Sequence, residues 1–305
     1  MIVPPYLKPG DRVAVVATAR KVTLEEIEPG VQWLKNKGFE VVLGKTIGLA
    51  ENQLAGSDAD RTVDLQYFLD HPDCNAIWCA RGGYGTLRMI DSLDFTKFLA
   101  APKWIIGYSD ITVLHNHVHR LGVASLHASL VFDIHKQPVS VQNRVIDSLT
   151  GKKINYRLTA SSCNRKGRAT GVLTGGNLSL LYALMGSSSA VDTTGKILFI
   201  EDLDEYLYHL DRMMQGLKRS GVFKNLAGLI VGGMSDMRDN TVEFGFKSDN
   251  PFGKTPQEII LDAVSDCNFP VVFDFPAGHV LENNPLILGE KVVLEVGVKT
   301  VTLSY

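Results

Sequence analysis

The chain has 305 residues, 45% apolar and 21% charged, which is too hydrophobic for a disordered polypeptide and sufficient for one large or two ordinary globular domains. The 31 Lys and Arg against 33 Asp and Glu leave a formal charge of −2, which excludes the global basic charge of a protein that works on nucleic acid or on an acidic membrane surface. No apolar run approaches the roughly 18 residues of a membrane span. The N-terminal stretch from Met1 to Lys8 has no basic flank followed by an apolar core, and Cys74, Cys79, Cys163 and Cys267 form no C-x-x-C pair. The expectation is a cytoplasmic protein with free thiols, no metal site and no cofactor.

Strand and helix signals alternate through the first half. Residues 12–17 form a β-branched run after the turn Lys8-Pro9-Gly10-Asp11. Residues 24–37 carry Ile27, Val31 and Leu34 at helical spacing, with Gly38 as the stop, and residues 39–43 read as a second strand. A second helix is predicted over 57–69, with Val63, Leu65, Phe68 and Leu69 as its apolar set. Residues 75–80 form a third strand that opens into the turn Arg81-Gly82-Gly83-Tyr84-Gly85. A fourth strand, 103–107, is followed by Tyr108-Ser109 and a helix to about residue 121. This alternation predicts βαβ units and a mostly parallel sheet, with any ligand at the carboxyl ends of the strands.

The pattern breaks around residues 148–170. Residues 151–168 hold Lys152, Lys153, Arg157, Arg165, Lys166 and Arg168 without an acid, which reads as a solvated linker in preference to a basic contact patch. The expected division is an N-terminal domain over 1–150, a linker over 151–170 and a C-terminal domain over 171–305. In the latter, 196–200, 228–232 and 271–275 read as strands. Thr255-Pro256-Gln257-Glu258 is a capping box that opens a helix, and 286–305 reads as three short strands in antiparallel hairpins.

Three segments offer chemistry. In Gly107-Tyr108-Ser109-Asp110 a buried strand turns into a helix, so Ser109 sits where the N–H groups of a helix start stabilise negative charge; the other reading is a simple N-cap. The strand 196–200 runs straight into Glu201, placed to orient a histidine, or else it opens a solvated acidic loop with Asp202, Asp204 and Glu205. In Phe275-Pro276-Ala277-Gly278-His279 a histidine stands at a loop tip after a strand, which suits a general base or a surface position. The loop 81–85 exposes backbone N–H groups, as phosphate binding or an oxyanion hole requires, and Gly175-Gly176-Asn177 is either a substrate wall or a tight turn. His115 and His119 have zincin spacing, but Asn116 replaces the glutamate of H-E-x-x-H. Together, Ser109, Glu201 and His279 compose a nucleophilic triad in the order Ser, Glu, His.

At these residues the sequence resembles the LD-carboxypeptidase family of serine peptidases, which includes murein tetrapeptide carboxypeptidases and microcin C immunity peptidases. The resemblance runs from Leu7-Lys8-Pro9-Gly10-Asp11 through Arg81-Gly82-Gly83-Tyr84-Gly85, Gly107-Tyr108-Ser109-Asp110, Gly175-Gly176-Asn177 and Ile200-Glu201-Asp202 to Asp211-Arg212-Met213 and Gly278-His279. It implies a flavodoxin-like parallel-sheet N-terminal domain, a smaller swivelling α/β C-terminal domain rich in β, and a homodimer. It also implies Ser109, Glu201 and His279 as catalytic residues, with the Gly83 and Asp110 amides as oxyanion hole. The substrate implied is a small peptide or muropeptide, with neither nucleic acid nor membrane as partner. Arg81 or Arg212 would take a substrate carboxylate, with Tyr84 and Asn177 as further substrate contacts. Departures occur at Thr18, at His127-Ala128-Ser129 and after His279. The alternatives are a peptidyl-nucleotide hydrolase, with Tyr84 or Tyr206 stacking on a base, and a non-catalytic two-lobed ligand-binding protein.

Overall fold

In the computed structural model, which describes residues 1–305, aliphatic runs of four to five residues become sheet interiors. The first stretch of chain gives β1 (Arg12–Val16), α1 (Leu24–Asn36), β2 (Glu40–Leu43), α2 (Asp58–Asp70), β3 (Ala76–Cys79) and α3 (Thr96–Ala100). It continues with β4 (Trp104–Gly107), α4 (Thr112–Arg120), β5 (Ser125–His127) and α5 (Val139–Leu149). β3 and β4 are buried along their whole length, as strands covered on both faces must be. Capping boxes Thr23/Glu26 and Ser57/Asp60 start α1 and α2.

The second stretch gives β6 (Asn155–Thr159), β7 (Gly167–Asn177), α6 (Leu178–Ala183), β8 (Ile197–Leu203), α7 (Leu207–Arg219), β9 (Gly228–Ser235), α8 (Pro256–Ala263) and β10 (Val271–Val272). After it come β11 (Leu286–Leu288), β12 (Lys291–Val296) and β13 (Thr300–Ser304). The chain divides into two units: residues 1–154 with 281–290, and residues 155–280 with 291–305.

In the first unit the sheet order is β11-β5-β4-β3-β1-β2, all parallel except β11, which runs antiparallel to β5. Trp78, Trp104 and Phe98 are its largest buried apolar side chains. In the second unit the order is β10-β9-β8-β7-β12-β13-β6. It is parallel from β10 to β7 and antiparallel from β7 to β6. Leu198, Ile200, Leu229 and Val231 of the parallel part belong to one core with Met213, Met214 and Leu217 of α7 and Ile259 and Ile260 of α8. No helix is long and apolar enough to cross a membrane.

Four sequence expectations change. Residues 151–170 are not a linker: β6 and the start of β7 lie there, and the division falls between residues 154 and 155. The basic run is partly structural, since Arg165 donates to the Val264 and Cys267 carbonyls just beyond α8, and Arg168 pairs with Glu295 at 3.0 Å. The C-terminal domain is not continuous, because residues 281–290 belong to the first unit, so β12 and β13 form a hairpin while β11 joins β5. Val63 is 68% exposed and lies outside the buried face of α2.

Leu288 is fully buried in β11. Leu288→Ala is expected to lower stability by ~2–5 kcal/mol. The readout is the urea midpoint of tryptophan fluorescence, because Trp33, Trp78 and Trp104 all lie in the first unit. An unmoved fluorescence midpoint would detach β11 from that unit.

Candidate active site

Ser109 stands between β4 and α4. Gly107 ends the buried strand, Tyr108 is extended, and Ser109 takes φ = +63° before one 3₁₀ turn leads into the helix. A left-handed non-glycine residue costs about 1–3 kcal/mol and persists only where its neighbours determine it. They do so from both sides. On one side, the His115 ring bonds the Gly107 carbonyl through Nε2 at 2.8 Å, while its Nδ1 lies 2.8 Å from the Ser125 hydroxyl. On the other, the buried Asp110 carboxylate accepts the Thr86 N–H at 2.9 Å. The elbow therefore presents a half-buried serine at a helix start, where the first amides have no partner within the helix.

The glycine loop lies against this elbow. A Cβ at Gly82 would stand 3.3 Å from Ser109 Cβ and 3.5 Å from its Oγ. The Gly83 amide is the next backbone donor along the chain. Gly83 itself has φ = +108° and little room, since an added Cβ would lie 3.1 Å from Arg20 Cβ. Thr86 closes the loop through its hydroxyl, 3.1 Å from that of Thr18.

Arg81 pairs with Glu26 at 3.1 Å and lies 4.5 Å from the Phe132 ring. Tyr84 is exposed and interacts with Arg88.

In the second unit β8 ends on two carboxylates that are both buried, Glu201 at 0% and Asp202 at 1% exposure. Both faces of β8 are covered, since Ile197 to Asp202 are buried without a break, so two neighbouring carboxylates can both lie out of water; the register against β9 shifts between Ile200 and Asp202. Glu201 Oε2 accepts two bonds from one residue, from the His279 backbone N–H at 3.1 Å and from His279 Nδ1 at 2.6 Å. Gly278 makes this approach possible: at φ = +96°, a Cβ there would lie 2.6 Å from Glu201 Cβ, Cγ and Oε2. A carboxylate at Nδ1 places the proton there, so the neutral ring carries its lone pair on Nε2, the arrangement of a general base. The Ser235 hydroxyl holds the His279 carbonyl at 2.5 Å.

The alternative reading placed Asp202 in a solvated acidic loop; it is instead a buried anchor. It accepts from Asn177 Nδ2 (2.9 Å), Ser179 N (2.9 Å) and Leu203 N (3.0 Å). Asn177 is thereby an anchor as well, because its Oδ1 also caps α6 through Leu180 N at 3.3 Å. Arg212 is exposed on α7 with its guanidinium 5.3 Å from the Tyr208 ring, and Tyr206 stacks on Tyr208 and meets Phe246 edge-on. His115 uses Nε2 on the elbow carbonyl and Nδ1 on the Ser125 hydroxyl of β5, so both ring nitrogens are engaged and the zincin arrangement has no lone pair free on this ring. Thus Ser109, Gly82, Gly83 and Asp110 gather in the first unit, and Glu201, Asp202, Asn177 and His279 in the second.

Sequence reading passed over His115, Thr86 and Asp202 as supports. A helical histidine one turn past the elbow, and a second acid directly after the first, were the available signals.

Two α/β units, one with a serine at a strand-to-helix turn and one with a carboxylate–histidine pair, fit the class of serine-type hydrolases. The description "LD-carboxypeptidase N-terminal domain" matches residues 13–128, and "LD-carboxypeptidase C-terminal domain" matches 170–294. The chain belongs to the LD-carboxypeptidase family, the S66 peptidases. A Bacillus subtilis (strain 168) relative named "Probable murein peptide carboxypeptidase" is 30% identical over 99% of this chain and 94% of its own. The Escherichia coli microcin C7 self-immunity protein MccF is 25% identical over 90% of this chain and 87% of its own. Among solved structures, the muramoyltetrapeptide carboxypeptidase from Oxalobacter formigenes has a TM-score of 0.85 at 25% identity, covering 96% of this chain and 98% of that one.

Burial and the neighbouring Glu201 charge push the Asp202 carboxyl up to about 7. A raised carboxyl binds its proton more tightly when folded, so the native state loses stability as pH rises from about 4 to about 7. Asp202→Asn is expected to flatten this part of the stability profile, measured as urea midpoints from pH 4 to 8; an unchanged slope would contradict the assignment.

Proposed function

We propose that this enzyme is a serine carboxypeptidase that hydrolyses the L,D-peptide bond to a C-terminal D-amino acid, D-Ala of murein tetrapeptide, in cell-wall recycling. The observation that carries the reading is the Glu201–His279 pair, with its carboxylate on Nδ1 at 2.6 Å. In the proposed reaction, His279 Nε2 takes the Ser109 proton as the hydroxyl oxygen attacks the scissile carbonyl carbon. The Gly83 and Asp110 amides stabilise the oxyanion of the tetrahedral intermediate, each donor worth on the order of 10²–10³ in rate. The imidazolium, balanced by Glu201, then gives its proton to the departing amine, and D-Ala leaves. Water, deprotonated by the same ring, cleaves the acyl-serine ester and restores the hydroxyl.

An exopeptidase must also hold the free carboxylate of its substrate. Arg81 directly precedes the glycine loop and presents a fork suited to that contact, with Glu26 as its resting partner. The named activities of the Bacillus and Oxalobacter proteins support a murein peptide as substrate.

A second reading, hydrolysis of a peptidyl nucleotide, draws on the likeness to MccF and on the cluster Tyr206, Tyr208 and Phe246, whose rings offer a surface for a base.

The test is incubation with L-Ala-γ-D-Glu-meso-diaminopimelate-D-Ala and detection of free D-Ala by mass spectrometry. Ser109→Ala is expected to lower turnover by about 10³–10⁶. Turnover of a peptidyl nucleotide in place of the tetrapeptide would select the second reading. Saturable tetrapeptide binding without turnover would make the protein a binder. Arg81→Ala is expected to raise KM strongly with kcat little changed, and an unchanged KM would remove Arg81 from the carboxylate site.

A further inference from the structure

Arg61, on α2, is a cation whose side chain has no exposed surface. Packing does not explain it, because an aliphatic side chain of similar size fills such a space without the desolvation of a charge. Its N–H groups show what it is for. Nη1 donates to the carbonyls of Thr18 and Gly85, both at 2.8 Å. Thr18 lies just past the carboxyl end of β1, and Gly85 lies in the loop after β3. Because β1 and β3 are hydrogen-bonded neighbours, one guanidinium ties together two loops that leave the same sheet edge. Nη2 pairs with Asp58, and Asp58 also accepts both Nε (2.9 Å) and Nη2 (2.7 Å) of Arg88, three residues beyond Gly85.

The contact is close enough to dictate residue type. A Cβ at Gly85 would lie 2.7 Å from Arg61 Nη1 and 2.9 Å from Ala19 Cα. From Gly85 the path to the nucleophile is short. Thr86 donates its N–H to Asp110 and its hydroxyl to Thr18, and Asp110 adjoins Ser109. The glycine loop is thus pinned at its carboxyl end by Arg61 and tied to the serine elbow by Asp110.

We propose that Arg61 is a positioning residue for the oxyanion donor: by clamping the Gly85 and Thr18 carbonyls it fixes the distance between the Gly83 amide and the Ser109 hydroxyl. This rests on the reading of Ser109 as nucleophile and the Gly83 amide as donor. Arg61 touches no substrate; it acts through the loop. A misplaced donor weakens binding of the transition state and leaves ground-state binding in place.

The experiment compares Arg61→Met, Arg61→Lys and the unaltered enzyme for D-Ala release, for affinity toward a peptide boronate that forms a tetrahedral adduct with serine, and for thermal unfolding. Arg61→Met is expected to lose about 10- to 100-fold in kcat and a parallel factor in boronate affinity, with KM within about threefold. Arg61→Lys is expected to recover part of the loss, because one ammonium reaches one carbonyl where the fork reaches two. A folded Arg61→Met enzyme with full kcat and full boronate affinity overturns the proposal. If Arg61→Met does not fold, Arg61→Lys decides: it keeps the cation but reaches one carbonyl where the fork reaches two, and full kcat with full boronate affinity there overturns the proposal. An active Ser109→Ala enzyme would instead remove the underlying reading, whereas an inactive Ser109→Ala beside a fully active Arg61→Met removes only the role of Arg61.

Discussion

A carboxylate taken wholly out of water must be given hydrogen-bond donors, and this requirement at Glu201 organises the second unit. Two donors reach its Oε2 from a single residue, through the backbone and the ring of His279. For both to reach one oxygen, the preceding residue must have no side chain, and Gly278 has none. The carboxylate can be buried beside Asp202 because β8 is covered on both faces, with Ile197 to Asp202 buried in succession. Removing the imidazole would leave a buried charge short of a partner, a loss of about 3–5 kcal/mol. The orientation of the ring is therefore a by-product of the solvation of its neighbour.

The first unit meets a different constraint in a related way. Ser109 occupies a backbone conformation that L-residues avoid, and the supports lie in the chain on either side of it. His115 reaches back to the Gly107 carbonyl before the elbow, and Asp110 reaches across to the glycine loop. Burial lowers the His115 ring to about 4, so it remains neutral and keeps a single defined donor toward that carbonyl at physiological pH. Asp133 adds a further support, accepting from the Tyr108 hydroxyl at 3.0 Å. The strain is thus met by side chains that are themselves buried or half-buried.

Much of this was legible in the residues. The βαβ alternation, the serine at a strand-to-helix turn, the glutamate at a strand end and the histidine after a Gly-shaped loop are local patterns, and each survives folding because its cause is local. What escaped depended on long-range pairing. Nothing in residues 151–170 reveals that β6 has β13 as its neighbour, since pairing partners over a hundred residues apart leave no periodic trace. A short apolar run such as Leu286–Leu288 pairs equally well with any open edge, and its choice of β5 over β12 is tertiary. Asp202 could be read as solvated because charged residues follow it; its burial comes from a strand covered on both faces and from the donors that Asn177 and Ser179 supply. Arg61 is one arginine among many in a helix with acids around it, and its burial is invisible without the loops that enclose its head group.

The chain passes from the first unit to the second after residue 154, returns at 281 and leaves again at 291. During synthesis, then, β5 emerges with an open edge that its antiparallel neighbour covers only once residue 288 has been made. In the other sheet, β6 is held solely through β13, so it waits for residues 300–304. The first sheet has all its pairings only once residue 288 has been made and the second only once residue 304 has, so the nascent chain carries unpaired strands until then.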